Sequence, residues 1–401
     1  MKRRLLFARW FAARWRPAFA CAAAAGLLAV GCGKNADTAP GAAPGAATTE
    51  PIKVGEFASL TGKEATFGQS SHHGTELAID ELNAKGGALG RKFELLTEDN
   101  QSKAGESKTI AQKLISRDGV VALLGEVASS RSLEAAPICQ ENKIPQISPS
   151  STNPKVTEIG DYIFRVCFTD PQQGKVLAQF GMKTLNAKRV AVLTDVATAY
   201  SVGLATYFKN ALTAAGGEVA VEQKYSGGDR DFKAQLTTIK ASNPDALFIP
   251  GYYTEVGLIA RQARELGVTF PLFGGDGWES TELTQIGGAA VEGTYFSTHY
   301  SPEQKDPAVA EFVRKFQAKY GETPDAMAAL GYDSAILLAD AMTRAGTTDG
   351  AKVRDALAAT KDFPGISGRI TMDEHRDAKK PLVILVVTNG AFHLVQQITP
   401  E

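Results

Sequence analysis

The residues best able to do chemistry lie in two short loops of small hydroxyls, Ser129-Ser130 and Ser148-Pro149-Ser150-Ser151-Thr152. Each follows a short apolar run, residues 120–124 and 144–147, of the kind that forms a strand buried on both faces of a parallel sheet. Gly125 ends the first run, so polar chemistry begins at the strand's carboxyl end. A helix must start at Ser129, where the first backbone N–H groups lack intrahelical partners and carry the positive end of the helix dipole. Such a loop receives an anion, although a helix cap is the plainer use of any single serine. Two neighbouring strands that both end this way mark the crevice in which open α/β sheets hold ligands. The guest this chemistry suits is small and carries a carboxylate.

The elements that must position these loops follow from alternation along the chain. Strand-like runs at 52–57, 93–97, 120–124, 144–147 and 162–167 are interleaved with helical patterns at 70–84, 104–116 and from Ser129 onward. Near Asp170-Pro171 the series restarts, with strands at 190–194, 218–225, 246–250 and 271–273 and helices between them. Residues 308–359 are mainly helical, and the last strands, 382–387 and 391–396, meet at Asn389-Gly390, a type I′ hairpin signal. About 350 residues of body exceed what one core usually holds, so two lobes are expected.

Composition removes several classes of function. Lys and Arg number 43 against 44 Asp and Glu, for a net charge of −1. No basic stripe interleaved with aromatics runs through the body, so nucleic acid is not an expected partner. His72 and His73 diverge on a helix with no third ligand at a suitable spacing, which predicts a solvated helix start and no metal. The charge-rich stretches 103–108 and 373–380 read as solvated faces. Nucleophile elbow, zinc signature, Walker loop and dinucleotide fingerprint are all missing from a fitting context, so neither an enzyme nor a cofactor is expected.

The amino-terminal segment is an export signal. Lys2, Arg3, Arg4, Arg9, Arg14 and Arg16 precede an apolar run at 18–30 and the pair Gly31-Cys32. Leu28-Ala29-Val30-Gly31-Cys32 resembles the lipobox of bacterial lipoproteins, with Ala29 where leucine is usual. That resemblance implies a signal peptide over 1–32 ending at a lipidated Cys32. Residues 33–50, rich in Ala, Gly, Pro and Thr, follow as a flexible tether. Arg3-Arg4 leaves twin-arginine export open. The expected location is the periplasm or cell surface, on a membrane. Cys139 and Cys167 are either a disulfide, which export permits, or two inert buried thiols.

Ser59-Leu60-Thr61-Gly62, Phe67-Gly68, Gly74, Leu77-Ala78, Asn83-Ala84-Lys85-Gly86-Gly87, Gly90, the Ser129 loop and Ile147-Ser148-Pro149-Ser150-Ser151-Thr152 resemble the periplasmic branched-chain amino acid binding proteins of ABC transporters. The likeness runs in order through most of 51–396. It implies an α/β, type I periplasmic-binding-protein fold of two doubly wound lobes joined by a three-crossing hinge. Lobe one would hold 51–170 and 300–380, and lobe two 171–299 and 381–401. The same likeness places Ser129, Ser150 and Thr152 on the carboxylate and ammonium of an amino acid, with Tyr200, Tyr252 and Asp276 closing from the other lobe. Asp276 suits an ammonium, which needs a carboxylate in a dry cleft. Phe67 stands where the family often has tyrosine, and Trp278 is expected to narrow the side-chain pocket. The implied protein is a monomer that delivers a small apolar amino acid to membrane permease subunits. A same-fold receptor for amides, urea or aromatic acids, and a ligand-sensing component of a signalling system, are the alternatives.

Overall fold

The structure, a computed structural model, describes residues 50–399, so the signal segment, Cys32 and most of the tether lie outside the described residues. The chain opens with β1 (Ile52–Ala58), α1 (Ala65–Ala84), β2 (Phe93–Asp99), α2 (Glu106–Ser116), β3 (Leu123–Leu124), α3 (Ser129–Glu141), β4 (Gln146–Ser148), α4 (Lys155–Glu158) and β5 (Ile163–Arg165). These strands form a parallel sheet in the order β2-β1-β3-β4-β5. β3 and β4 are therefore neighbours, and the two serine-rich loops leave the same edge of the sheet side by side.

The second series is α5 (Asp170–Lys183), β6 (Arg189–Asp195), α6 (Ala199–Ala214), β7 (Glu218–Tyr225), α7 (Lys233–Ala241), β8 (Ala246–Ile249), α8 (Tyr253–Glu265), β9 (Leu272–Gly274), α9 (Thr281–Gly287) and β10 (Tyr295–Thr298). The chain then returns through α10 (Pro307–Tyr320), α11 (Ala326–Ala345), α12 (Gly350–Ala358), β11 (Phe363–Gly365), β12 (Gly368–Met372) and β13 (Ala378–Lys379). It finishes on β14 (Leu382–Thr388) and β15 (Ala391–Ile398). The second sheet runs β15-β14-β10-β9-β8-β6-β7, parallel except where β14 pairs with β10 and β15. The chain passes between lobes three times, after β5, β10 and β13. Apolar clusters cover the first sheet, and the second lobe's cluster takes in Phe67, Val127 and Ala128 of the first.

Two sequence expectations fail here because the first helix starts earlier than its pattern suggests. α1 begins at Ala65, not near Ser70, so Phe67 and Gly68 sit on its first turns. A Cβ on Gly68 would lie 2.1 Å from the Ser59 carbonyl oxygen, so the glycine permits a close approach to the β1 loop. Gly74 and Gly331 similarly let α1 and α11 pack: added Cβ atoms would meet the Ala328 and Ser71 carbonyl oxygens at 1.9 and 2.1 Å. His72 is consequently mid-helix and half-buried, with Nδ1 2.6 Å from Glu56 Oε2, rather than at a solvated start. That bond raises the His72 pKa.

The stretch 373–380 is also not a solvated face at its end. Asp377 and Lys380 are buried, and residues 363–379 contribute the small sheet β11-β12-β13 that the sequence reading left out, as it did β10. Burial pushes the Lys380 ammonium down to about 8, and Nζ donates to the Val166 carbonyl at 3.2 Å and to the Ser367 hydroxyl. Cys139 and Cys167 are free, buried thiols, the latter pushed up to about 12 by burial. Asn389 and Gly390 have φ of 54° and 72°, as the I′ hairpin requires.

Candidate functional site

In the first lobe, Ser129 opens α3 behind Ala128, whose side chain cannot cap it, so the first turn presents N–H groups to the crevice. Ser129 Oγ accepts from the Asn153 N–H at 3.3 Å, which ties the two loops together. Ser148 and Ser151 are scaffolding: both hydroxyls donate to the Glu126 carbonyl, at 2.7 and 2.9 Å. Thr152 differs, because its hydroxyl is fully buried and has only the buried Asp170 carboxyl beside it. Beneath the loop lies Arg165, fully buried, whose guanidinium donates to the Ser151 and Asn153 carbonyls and pairs with Asp377 at 2.7 Å.

In the second lobe, Asp276 starts a single 3₁₀ turn, Asp276–Trp278, directly after β9. Its Oδ1 accepts from Gln173 Nε2 at 2.7 Å, and its Oδ2 lies 3.1 Å from His299 Nε2 and 3.5 Å from Ser150 Oγ. The carboxylate therefore touches a loop of the other lobe and a crossing segment at once. Tyr200 OH accepts from the Gly277 N–H at 3.1 Å, and the Tyr200 ring stacks on Tyr252 with centroids 5.2 Å apart. Phe67 meets Tyr252 and Tyr253 edge-on at 5.5 and 4.8 Å. Burial holds the Tyr200 and Tyr252 phenols well above their usual range, so both keep a proton to donate.

The lobes are in contact around these groups. The Ala199 N–H donates to Ser130 Oγ at 3.0 Å, Asn153 Nδ2 to the Ala199 carbonyl at 2.7 Å, Tyr253 OH to the Lys63 carbonyl at 2.9 Å, and Ser280 Oγ to Thr66 Oγ1 at 3.0 Å. Ser129, Ser150, Thr152, Phe67, Tyr200, Tyr252 and Asp276 are all brought to this junction. Trp278 is placed differently: it is fully buried against β8 and β9, and its indole N–H donates to the Ile249 carbonyl at 2.9 Å. It props the Asp276 turn from the core side.

Sequence reasoning missed Gln173, His299 and Asp170. Asp170 is fully buried with only the Thr152 hydroxyl beside its carboxyl, and burial with the nearby Asp276 charge pushes it up to about 8. An acid placed before a proline looks like a helix start, which it also is. His299 lies in a hinge stretch without a motif, and nothing local marks it. Burial lowers its pKa, so it is a neutral ring.

Serine, histidine and aspartate meet here without forming a hydrolytic triad. Ser150 Oγ and Asp276 Oδ2 both contact the same His299 nitrogen, Nε2, at 3.2 and 3.1 Å, while Nδ1 has no partner. A base relay needs the acid on one ring nitrogen and the nucleophile on the other. Among the described residues no group of metal-ligating side chains gathers, and no helix is long and apolar enough to cross a membrane. What remains is a binding surface, with hydroxyl and N–H donors on one wall, a carboxylate on the other, and aromatic rings between.

Two lobes of this topology, meeting over such a surface, define a type I periplasmic binding protein. Residues 51–391 match the periplasmic binding protein family model, and the chain belongs to that family. It is a solute-binding receptor and not an enzyme. The Leu/Ile/Val-binding protein BraC3 of Rhizobium johnstonii is 33% identical over 332 residues, covering 81% of this chain and 88% of that protein. Among solved structures, the leucine-binding protein LivK of Thermotoga maritima superposes with a TM-score of 0.84 at 43% identity, over 87% of this chain and 99% of that one. The branched-chain amino acid substrate-binding protein LivJ of Streptococcus pneumoniae, in complex with isoleucine, gives 0.83 at 33% identity, over 88% and 100%.

Proposed function

We propose that this protein captures leucine, isoleucine or valine outside the cytoplasm and delivers it to the permease of an ABC importer. The observation that carries the reading is Asp276, a buried carboxylate set against Ser150 of the loop that also holds Thr152, beside the uncapped start of α3 that this loop touches through Ser129. In this reading Ser129 and Thr152 donate to the ligand carboxylate. The Ser150 carbonyl, the Thr152 hydroxyl and Asp276 receive its ammonium, and Phe67, Tyr200 and Tyr252 surround its side chain. Charge-assisted bonds of about 1.5–3 kcal/mol each, with about 1.5–3 kcal/mol from the aliphatic side chain, support micromolar binding after association costs. The names of the relatives favour the same ligands.

The lobes that close are 51–170 with 300–380 and 171–299 with 381–401, and the protein acts as a monomer. Calorimetry with leucine, isoleucine, valine, urea, acetamide and benzoate tests the ligand class. Micromolar or tighter binding of the first three alone is expected, accompanied by a smaller radius of gyration in small-angle scattering. Preferential binding of urea, an amide or benzoate would replace this reading by another receptor of the same fold.

The receptor is held at the membrane by a lipid on Cys32, with 33–50 as its tether. The mature protein should carry acyl chains by mass, and Cys32→Ala should leave the membrane fraction. A mature form without acyl chains sinks the anchor and leaves the ligand assignment standing.

A further inference from the structure

A threonine hydroxyl has one hydrogen and two lone pairs. In the proposed complex the Thr152 hydrogen goes to the ligand carboxylate and one lone pair receives the ammonium, so the second lone pair calls for a donor from the protein. The group beside it is the Asp170 carboxyl, which is fully buried and, among the described residues, is offered no hydrogen bond besides that hydroxyl. The main chain fixes the pairing. The Asp170 N–H donates to the Thr152 carbonyl at 2.9 Å, at the start of α5 on the first crossing between the lobes. From the second lobe α6 closes over the pair at Gly203, where a Cβ would lie 2.6 Å from Asp170 Oδ2 and 2.5 Å from Asn153 Nδ2. Glycine at 203 is what lets the helix come this near.

What Asp170 does to Thr152 depends on one proton. An ionised carboxylate only accepts, so it would take the Thr152 hydrogen and leave none for the ligand. A neutral carboxyl donates its own hydrogen and leaves that of Thr152 free. The surroundings favour the neutral form: burial and the Asp276 carboxylate, from the turn after β9, push Asp170 up to about 8. Arg165 of β5 is the charge that opposes them, but its donors go to the Ser151 and Asn153 carbonyls, the Thr157 hydroxyl and Asp377. α6 faces the carboxyl with the Tyr200 and Tyr207 phenols, both raised by burial and so neutral.

We propose, resting on the reading of Thr152 as a ligand-binding residue, that Asp170 is a positioning residue of the amino-acid cleft, whose neutral carboxyl donates to Thr152 Oγ1 and so aims the Thr152 hydrogen at the ligand carboxylate. Because the carboxyl lies between the lobes, opening admits water to it and lowers its pKa toward the ordinary carboxylate range. Capture of the ligand then takes up a proton. A group whose pKa is higher in the bound molecule than in the free one supports binding fully below the lower value, and that support is lost as pH rises to the upper value, about 8. Were Asp170 a second counter-charge for the ammonium, affinity would instead rise over the same range.

Calorimetry of leucine binding to the whole protein reads the sign. The parent should lose about tenfold in affinity between about pH 6.5 and 8.5, where leucine stays a zwitterion. Asp170→Asn, whose amide donates to Thr152 and cannot ionise, should match the parent at the lower pH within about threefold and keep that affinity across the range. Asp170→Ala, lacking a donor, should bind about tenfold more weakly at every pH. Titrations near neutral pH in phosphate and in Tris, whose ionisation heats differ, should show proton uptake by the parent that Asp170→Asn lacks. The proposal is overturned if the parent's affinity is flat or rises with pH, if Asp170→Asn keeps the parent's slope, or if both take up the same number of protons. Failure of leucine to bind at any pH would overturn the reading of the site and this role with it, whereas binding without pH dependence overturns the role of Asp170 alone.

Discussion

Asp276→Ala is expected to lower leucine affinity at least a hundredfold, the consequence of leaving a buried ammonium without its counter-charge, a penalty of about 3–5 kcal/mol. The remaining acceptors proposed for that ammonium, a carbonyl and a hydroxyl, carry no net charge. Asp170 and Glu279, the further carboxyls close by, do not substitute: burial pushes each up to about 8, so at neutral pH they are largely protonated. Neutral His299 sits 3.1 Å from Asp276 and offers no negative charge either. Truncation to alanine also removes an acceptor from Gln173, whose Nε2 keeps only Ser297 Oγ at 2.9 Å. Asp276→Asn separates the two effects, since it preserves shape and an acceptor for Gln173 while deleting the charge. Both variants should lose the bulk of the affinity, and Asp276→Asn should unfold at the parent's temperature. Calorimetric affinity for leucine within about threefold of the parent in Asp276→Asn would mean that the carboxylate serves only its turn. Ser129→Ala, by contrast, should cost about tenfold to a hundredfold, one charge-assisted bond.

How much of this was legible in the sequence depended on the range of the interaction concerned. The serine-rich loops could be read because strand, loop and helix start are contiguous, and the sheet order that places β3 beside β4 follows the ordinary winding of such chains. The hairpin at Asn389-Gly390 was equally local. The start of α1 was misread because Gly68 answers to Ser59 across a tertiary contact, and a glycine kept for close approach is indistinguishable in sequence from one that ends a helix. The run at 373–380 misled for a related reason: its charges look solvated until Asp377 meets Arg165 and Lys380 meets the Val166 carbonyl, each more than two hundred positions away. At the site itself, Asp276 came from the family resemblance, and its place at a strand end agreed with it. His299 and Gln173 were missed, because their only signal is proximity to Asp276 in the folded chain.

Arg165 is where these long-range contacts matter most for function, and Arg165→Met is expected to destabilise the protein by about 3–5 kcal/mol, as for other broken buried ion pairs. The guanidinium is fully buried and its donors are spent on the Ser151 and Asn153 carbonyls, the Thr157 hydroxyl and the Asp377 carboxylate. Methionine fills much of the volume and satisfies none of them. The stranded Asp377, already raised by burial, can protonate and so relieve part of the cost. The two loop carbonyls have no such recourse, and they flank Thr152, whose hydroxyl is assigned to the ligand. Leucine affinity should therefore fall along with stability, even though Arg165 makes no contact with the proposed ligand. Pairing the change with Asp377→Leu distinguishes charge from clamp. The double variant removes both charges from the core and should regain most of the stability, since an apolar replacement of a buried pair is often close to neutral. It does not restore donors to Ser151 and Asn153, so its leucine affinity should stay low. Urea unfolding at unchanged slope, followed by calorimetry on the same samples, reads both quantities. A double variant that recovers affinity together with stability would show that Arg165 balances Asp377 and nothing more, and that the Ser150–Thr152 loop holds its shape through the Ser148 and Ser151 hydroxyls alone.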